Sequence, residues 1–286
     1  MKKSVWALGL VLACSVSLLA GGFSLKVTGG VASIDGGDYN RAVKGANDLT
    51  RALYLNVNGG LAKLDRGLNL GVEGIFEITP HFGLGLGLGY CSTREADAVE
   101  YDWVWGARTY HDTITTVPKF FVVPVTLNLH YRVSLVLGVK LDLTAGLGLY
   151  ICGFDYHNRQ TTTQFDWKYD YSWKASKAAL GFQGGLGLEV PVMGRLSFVL
   201  DLFGRWVRVG DIMGSFAVDG SIAGLPYSTS GKHHYFWYYE AKLKDVWYPQ
   251  TAFQEQQPSG LAIDQARKGH FDYTGIAAAA GFKIKL

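Results

Sequence analysis

The sequence contains little charge and, beyond its N-terminal leader, no long hydrophobic run. Charged residues make up 18% of the 286 positions, which is a low share for a soluble enzyme. No segment after the leader has the roughly 18 uninterrupted apolar residues that a transmembrane helix needs. The formal net charge is only +3, so the charge balance gives no reason to expect nucleic acid as a partner. The composition argues against a helical membrane protein and against a nucleic-acid-binding protein.

Motifs of catalysis, metal binding and phosphate binding are also lacking. His233 and His234 are adjacent, but no second cysteine or carboxylate stands at a spacing that is diagnostic of a metal site. The glycine-rich run 83–89 lacks the Lys-Ser/Thr pair of a phosphate-binding loop. No nucleophile motif accompanies the scattered histidines of the predicted loops. We therefore expect a non-enzymatic protein without a cofactor or a metal.

The first 22 residues predict an export signal. Lys2 and Lys3 form a positive start, residues 5–20 are apolar, and Ala20-Gly21-Gly22 supplies a small-residue cleavage site. We expect a signal peptide over 1–22 and a single mature domain over 23–286. Two alternatives stay open: an uncleaved membrane anchor, and lipoprotein processing at Cys14.

Glycine and aromatic residues, by contrast, are plentiful. The chain has 37 glycines, and aromatic residues make up 14% of it. From Phe82 to Tyr90 an apolar side chain alternates with glycine at every position. Strict alternation predicts a strand, but a face of glycine would weaken a soluble strand. The pattern is reasonable if the apolar face meets lipid and the small face lines a narrow closed barrel.

Similar alternation predicts eight strands in all, each long enough to cross a bilayer. They cover approximately 23–34, 67–79, 82–92, 115–131, 137–151, 178–190, 195–208 and 270–286. Short turns between them alternate with long segments, at 35–66, 93–114, 152–177 and 209–269. This alternation of short periplasmic turns and long external loops is typical of outer-membrane barrels. The predicted fold is all-β, an eight-stranded antiparallel up-and-down transmembrane β-barrel with long extracellular loops; ten or more strands remain an alternative if residues near 235–248 pair.

The chain resembles the small eight-stranded outer-membrane barrels of the OmpA transmembrane-domain, OmpX and OmpW type. The resemblance covers nearly the whole mature chain and includes the C-terminal strand 276–286, in which Ala278, Ala280, Phe282 and Ile284 alternate. Such proteins usually end in an aromatic residue, whereas this chain ends in Leu286. The resemblance implies the outer membrane of a Gram-negative-type bacterium. It also implies two partners, the outer-membrane lipid and the barrel-insertion machinery.

Charged side chains fall at the predicted inward positions of these strands. They are Lys26, Glu73, Glu77, Asp142, Glu189, Asp201, Arg205 and Lys283. Charges of both signs in a narrow, dry interior have to pair, because an unpaired buried ion costs several kcal/mol. One interpretation is a structural salt-bridge network that closes the lumen. The other is a polar or gated conduit.

The predicted loops are rich in tryptophan, and the first of them predicts a helix. In the loop 35–66, Asp38 precedes a helical pattern that it could cap, and this helix would either cover the barrel mouth as a lid or pack over the loop bases. The alternation of aromatics over 165–173 predicts that two barrel strands continue outward as a hairpin. Exposed aromatic surfaces bind glycans, peptides or lipid head groups, while the alternative is that the rings pack on one another. The candidate binding aromatics are Trp103, Trp105, Trp167, Trp173, Trp237 and Trp247.

Only two cysteines, Cys91 and Cys152, remain in the predicted mature chain. Both have inward parity near the outer end of a strand, and the export route is oxidising, so a disulfide between them is a candidate. Against it, a third strand separates the two, and a disulfide needs Cα atoms about 5.5 Å apart. Free, partly buried thiols are the alternative.

The leading hypothesis is thus a non-enzymatic outer-membrane barrel whose external loops serve structure or recognition, such as adhesion. It would meet an external glycan or protein ligand. A second hypothesis is a narrow channel or carrier for small solutes, as the OmpW-like resemblance allows. A third is an enzyme at the barrel rim that acts on lipid.

Overall fold

The computed structural model describes residues 22–163, 167–222 and 224–286. Within these residues the chain forms sixteen strands, one α-helix and one short 3-10 turn. The strands are β1 (Phe23–Ser33), β2 (Leu55–Gly59), β3 (Arg66–Glu77), β4 (Phe82–Arg94), β5 (Asp97–Trp105), β6 (Arg108–Ser134), β7 (Lys140–Thr162), β8 (Trp167–Met193), β9 (Leu196–Trp206), β10 (Arg208–Gly210), β11 (Met213–Ile222), β12 (Leu225–Leu243), β13 (Val246–Gln254), β14 (Ile263–Lys268), β15 (His270–Asp272) and β16 (Gly275–Lys285). The helix α1 spans Asp38–Leu53, and the 3-10 turn Val136–Gly138 links β6 to β7. The expected signal peptide lies outside the described residues except for Gly22, so it stays a prediction.

The expected all-β antiparallel class is confirmed, with more strands than the eight expected. Antiparallel pairing runs from β1 through β3, β4, β6, β7, β8, β9 and β16 and returns to β1. Val27 of β1, for example, pairs with Val72 of β3 on one side and with Phe282 of β16 on the other. These eight strands therefore form a closed cycle of hydrogen-bonded neighbours.

The two faces of the cycle differ as the alternation in β4 predicts. The side chains of Leu84, Leu86 and Leu88 point outward and are 42–65% exposed, while Gly83, Gly85 and Gly87 are buried inside. A methyl group at Gly85 would lie 2.4 Å from the Glu73 carboxylate, so only glycine fits there without displacing a neighbour. The apolar face is turned to the surroundings and the small face to a crowded lumen.

Three strands of the cycle are longer than predicted, and they carry the additional strands. Strands β6 and β8 have 27 residues each and β7 has 23. The outer half of β6 pairs with β5, which pairs with β2. The outer half of β8 pairs with β11, and β12, β13 and β14 follow. Much of the chain that the sequence predicts as external loops therefore forms an external sheet. The expected hairpin of β7 and β8 is confirmed up to Thr162 and Trp167.

Helix α1 lies against the edge strand β13 of this external sheet. It buries Tyr39, Ala42 and Val43, as its amphipathic pattern predicts. Gly45 permits the close approach, because a Cβ there would stand 2.0 Å from the Pro249 carbonyl oxygen. The expected cap by Asp38 is wrong: Gly37 is the N-cap residue and no side chain caps the helix. Asp38 is instead the first helical residue, and its carboxylate is used in ion pairs.

An aromatic core fills the space between α1 and the external strands. Phe271 is its centre, with ring centroids 4.4 Å from Phe154, 4.6 Å from Phe236 and 6.1 Å from Tyr39. Such ring pairs contribute about 0.5–1.5 kcal/mol each beyond their burial. The external part therefore has a packed core of its own.

In the described part of the chain, no helix combines the length and the apolar character needed to cross a membrane.

Candidate functional site

The lumen of the cycle contains a central ion-pair cluster at mid-height. Lys26 of β1 binds Glu73 of β3 at 2.8 Å and Asp201 of β9 at 3.3 Å. His130 of β6, which is fully buried, contacts Glu73 through Nε2 and Asp142 of β7 through Nδ1, both at 3.0 Å. Inward positions of five strands thus meet in one cross-linked group.

A second ion-pair cluster lies at the end of the lumen where the short connections are. Arg132 binds Glu77 at 2.8 Å, and Lys283 binds Glu189 at 2.8 Å and Glu77 at 3.5 Å. The Nε atom of Arg132 also lies 3.9 Å from the Asp142 carboxylate. This contact connects the second cluster to the central one. The two clusters together place charges of both signs across the lumen at two levels.

Of the eight predicted lumen charges, Arg205 is the one that the ion pairs of the described residues leave out. It donates from Nη1 to the Asn69 side-chain oxygen at 3.0 Å and to the Tyr273 hydroxyl. It lines a cavity of about 100 Å³ on the outer side of the central cluster. Polar side chains on the cavity wall include Asn69, Asn128 and Gln183.

Sequence reasoning missed one essential member of these clusters, Arg132. The predicted fourth strand ends at residue 131, whereas β6 continues to Ser134. Continuing the alternation one step past His130 would have placed Arg132 inside. The alternation of residues 125–131 places His130 on the inward face, but nothing in the sequence indicates that it bridges two carboxylates.

Four of the six candidate tryptophans are too buried, wholly or in part, to form an open binding surface. Trp173 is fully buried, with its ring centroid 4.5 Å from that of Phe253. Trp237 is also buried and donates its indole N–H to the Gln254 carbonyl at 2.9 Å. The expectation that these two bind an external ligand is wrong, because both are enclosed by the external part of the protein. Trp103 and Trp167 are half-buried.

The other two tryptophans remain accessible. Trp105, at the tip of the β5–β6 hairpin, is 67% exposed, and Trp247 on β13 is 40% exposed. The ammonium of Lys242 lies 5.7 Å from the Trp247 ring centroid. The external surface thus presents two separate indoles on a rigid support.

The candidate disulfide is wrong, since Cys91 and Cys152 are both free and buried. Each pairs with the same residue, Val122, on opposite sides of β6. Two inter-strand spacings separate them, about 9–10 Å, and a disulfide requires Cα atoms within about 7 Å. The intervening strand keeps the two thiols apart.

A buried carboxylate joins α1 to the external sheet. Asp38 binds Arg267 of β14 through two bonds, at 2.6 and 2.7 Å, and His270 of β15 at 2.7 Å. Burial alone would raise the pKa of Asp38, but the hydrogen bonds from His270 and Arg267 outweigh burial and hold that pKa well below its usual range. The described residues contain no group of side chains arranged to hold a metal ion.

Comparison with known proteins gives a family match. The model of a family described as "Outer membrane protein beta-barrel domain" matches residues 6–208. No curated protein matches the chain. Two similar solved structures are a major outer membrane protein from Thermus thermophilus and the outer membrane protein OprG from Pseudomonas aeruginosa. The first has a TM-score of 0.42 and 14% identity over 93% of this chain and 100% of that one. The second has a TM-score of 0.36 and 13% identity over 93% and 96%. TM-scores below 0.5 do not establish a shared topology.

Proposed function

Because the chain belongs to the family of outer membrane protein beta-barrel domains, we propose that it is a non-conducting, non-enzymatic barrel of the bacterial outer membrane whose external sheet serves recognition. The proposed transmembrane barrel is the closed cycle of eight strands. The proposed mature domain covers 23–286 after removal of the signal peptide 1–22. Partners would be the outer-membrane lipid, the insertion machinery, and an external glycan or protein.

The side chains just outside the apolar band support the contact with lipid. Arg94, Lys119, Asp155 and Lys174 follow one another across β4, β6, β7 and β8 in direct register. Like charges placed opposite each other, as in Arg94 and Lys119, are destabilising on their own. Anionic head groups of the outer leaflet would neutralise this row, and the external sheet would then lie outside the cell.

The observation that carries the non-conducting proposal is the pairing of lumen charges at two levels. Ion pairs of 2.8 Å at Lys26–Glu73, Arg132–Glu77 and Lys283–Glu189 tie different strands of the wall together. A permeating ion would have to separate such pairs in a narrow space. Breaking a buried pair costs about 3–5 kcal/mol, so the lumen is closed at rest.

Planar-bilayer recording tests this proposal. The purified protein is expected to show no steady single-channel conductance. A variant with Glu77→Ala and Glu189→Ala is expected to show brief openings, because Lys283 loses both of its carboxylate partners and Arg132 loses the nearer of its two. Steady conductance of the unmodified protein would contradict closure. If such conductance disappeared with Gly85→Phe, the alternative of a narrow channel would take its place.

Recognition by the external sheet is tested with the two exposed indoles. Replacing Trp105 and Trp247 with alanine is expected to abolish binding in a screen of glycans and host-cell surfaces. Leu261, which is fully exposed on the same external part, supplies a matched control, and Leu261→Ala is expected to leave binding intact. Equal binding by all three proteins would remove the indoles from the proposal.

A further inference from the structure

Arg205 is a fully buried cation that makes two hydrogen bonds, both from Nη1, although a guanidinium has five N–H donors. It is 1% exposed and points into the lumen from β9. Nη1 reaches Asn69 and Tyr273, but Nε and Nη2 have no hydrogen-bond partner among the described residues. Leaving buried donors unsatisfied destabilises the folded state, and more so for a charged group.

The two unpartnered nitrogens form one edge of the guanidinium plane. Nε–H and Nη2–H point in the same direction, and this edge is one that binds carboxylates and other anions through two parallel bonds. The guanidinium carbon lies 4.3 Å from the ring centroid of Tyr273 and 5.4 Å from that of Phe203. The rings and Asn69 orient the arginine. The Cys91 thiol also interacts with Arg205, but neither Nε nor Nη2 makes a hydrogen bond to it or to any other described residue.

Arg205 also lines the cavity of about 100 Å³. Liquid water takes about 30 Å³ per molecule, so the cavity has room for a small ion together with one or two waters. Thr126, Asn128 and Gln183 on its wall are polar and can solvate such a guest.

The carboxylates of the same cavity restrict the charge of the guest. Glu73 and Asp201 line it, and both pair with Lys26. One ammonium against two carboxylates leaves one negative charge in that group. Arg205 offsets this charge, so the wall as a whole carries two cations and two carboxylates. A dianion such as sulfate would leave the cavity with two excess negative charges, whereas a monovalent anion held directly by Arg205 would leave only one.

We propose that the lumen binds one small monovalent anion, a halide or a simple carboxylate, on the Nε–Nη2 edge of Arg205. The anion accepts hydrogen bonds from Nε and Nη2 of Arg205, the one predicted lumen charge that forms no ion pair among the described residues. It is then a resident part of the outer half of the lumen.

Arg132 provides an internal control within the same lumen. It is 2% exposed, and its Nε and Nη2 likewise lack hydrogen-bond partners among the described residues. However, Asp142 lies 3.9 Å from its Nε and Glu77 lies 2.8 Å from its Nη1. Its charge is therefore already balanced, and no anion is expected beside it.

The test is crystallographic, with bromide as the probe because its anomalous scattering identifies it. Crystals of the full protein grown in sodium bromide are expected to show an anomalous peak within about 3.5 Å of both Nε and Nη2 of Arg205, with none at Arg132. The peak is expected to vanish in Arg205→Gln and to weaken at least tenfold in Arg205→Lys, which keeps the charge without the fork. Density without anomalous signal at Arg205, or equal peaks at both arginines, would overturn the proposal.

Added sodium formate distinguishes the two anion classes. Loss of the bromide peak in favour of planar density would identify a carboxylate site, and an unchanged peak would identify a halide site.

A measurement in solution serves for a variant that does not crystallise. The ⁸¹Br NMR line of free bromide is expected to broaden with the unmodified protein and with Arg205→Lys to a lesser degree. A line equally sharp with and without the unmodified protein would also overturn the proposal.

Discussion

At the scale of single residues, glycine determines how closely the inner wall and the ion pairs fit together. A Cβ at Gly85 would stand 2.4 Å from Glu73 and 2.7 Å from His130, and one at Gly146 would stand 1.9 Å from the Asn128 side-chain oxygen. Each of these partners is itself held by a hydrogen bond inside the lumen. The glycines therefore serve packing, and a larger residue would disrupt the central cluster.

The first prediction concerns Gly85→Ala. The methyl group would displace the contact between Glu73 and His130, so we expect a loss of about 1–3 kcal/mol in the free energy of unfolding, as for overpacked cores. Urea unfolding of the protein in lipid vesicles, followed by tryptophan fluorescence, measures it. Gly210→Ala is the control, since a Cβ there has no heavy atom within 4 Å. Equal losses in both variants would show that the crowding at Gly85 is not the cause.

The residue scale is also where sequence reasoning was most and least successful. Alternation places Lys26, Glu73 and Asp201 on the inward face, because side-chain direction in a strand follows from parity alone. Which charge meets which depends on the register between strands, and parity does not specify register. The sequence therefore could not show that Lys26 pairs with two carboxylates, or that Arg205 forms no ion pair with the described residues.

At the scale of elements, helix α1 is fastened to the external sheet by one buried carboxylate. Asp38 binds Arg267 and His270, with Arg41 at 4.0 Å on its own helix. The guanidinium of Arg267 also lies 4.6 Å from the ring centroid of Tyr238 on β12. The helix also covers the exposed edge of β13, and a proline in that strand, Pro249, further discourages strand addition.

A pH dependence of α1 follows from the lowered pKa of Asp38. A carboxylate whose pKa is lower in the folded state stabilises that state above its unfolded pKa of about 3.9, and this stabilisation is lost as the pH falls toward the folded value. We expect α1 to stay docked from neutral pH to about pH 4 and to open increasingly below it. Amide exchange of α1, measured by mass spectrometry across this range, tests the expectation.

Substitution of the carboxylate separates this effect from general acid unfolding. Asp38→Asn removes the buried charge that pairs with Arg267 and His270, so it should raise exchange of α1 already at neutral pH, by about 1–3 kcal/mol of opening free energy. Asp170→Asn removes an exposed pair with Arg159 and should change little. Unaltered exchange of α1 in Asp38→Asn would refute the fastening role.

Element by element, the sequence predicted the cycle strands and α1 but not the external sheet as a whole. Helical and alternating periods are visible over segments such as 38–54 and 165–173. Strand β13 is largely half-buried on both faces, and β11 has one mainly exposed and one mainly half-buried face. Neither strand shows a clear alternation of apolar and polar residues, so the sequence predicts loop there. Tertiary packing around Phe271 and Phe253, which no local pattern reports, makes them strands.

At the scale of the whole molecule, the apolar outward face of the cycle requires an apolar medium. Leu86, Leu147 and Leu180 are 65–82% exposed on the outside of the cycle. A continuous band of this kind would aggregate in water, and only a strand arrangement without free edges satisfies its backbone in lipid. The protein is consequently expected to be stable only in detergent or membrane.

Heat-modifiability is the corresponding prediction. After refolding into detergent, the unboiled protein should migrate as a compact band that differs from the boiled band, and circular dichroism should show mainly β-structure. Refolding without detergent should give no compact band and serves as the control. A soluble protein with identical boiled and unboiled migration would contradict a membrane barrel.

The pairing of β1 with β16 fixes an order of events in time. Val27 leaves the ribosome among the first residues of the domain, and its partner Phe282 is among the last. Until then β1 has one edge without a neighbour, so the wall cannot be completed while synthesis is under way. On the export route that we propose, the wall would therefore stay open until β16 reaches β1. The longer the final strand takes to arrive, the longer this edge of β1 stays available for pairing with another chain.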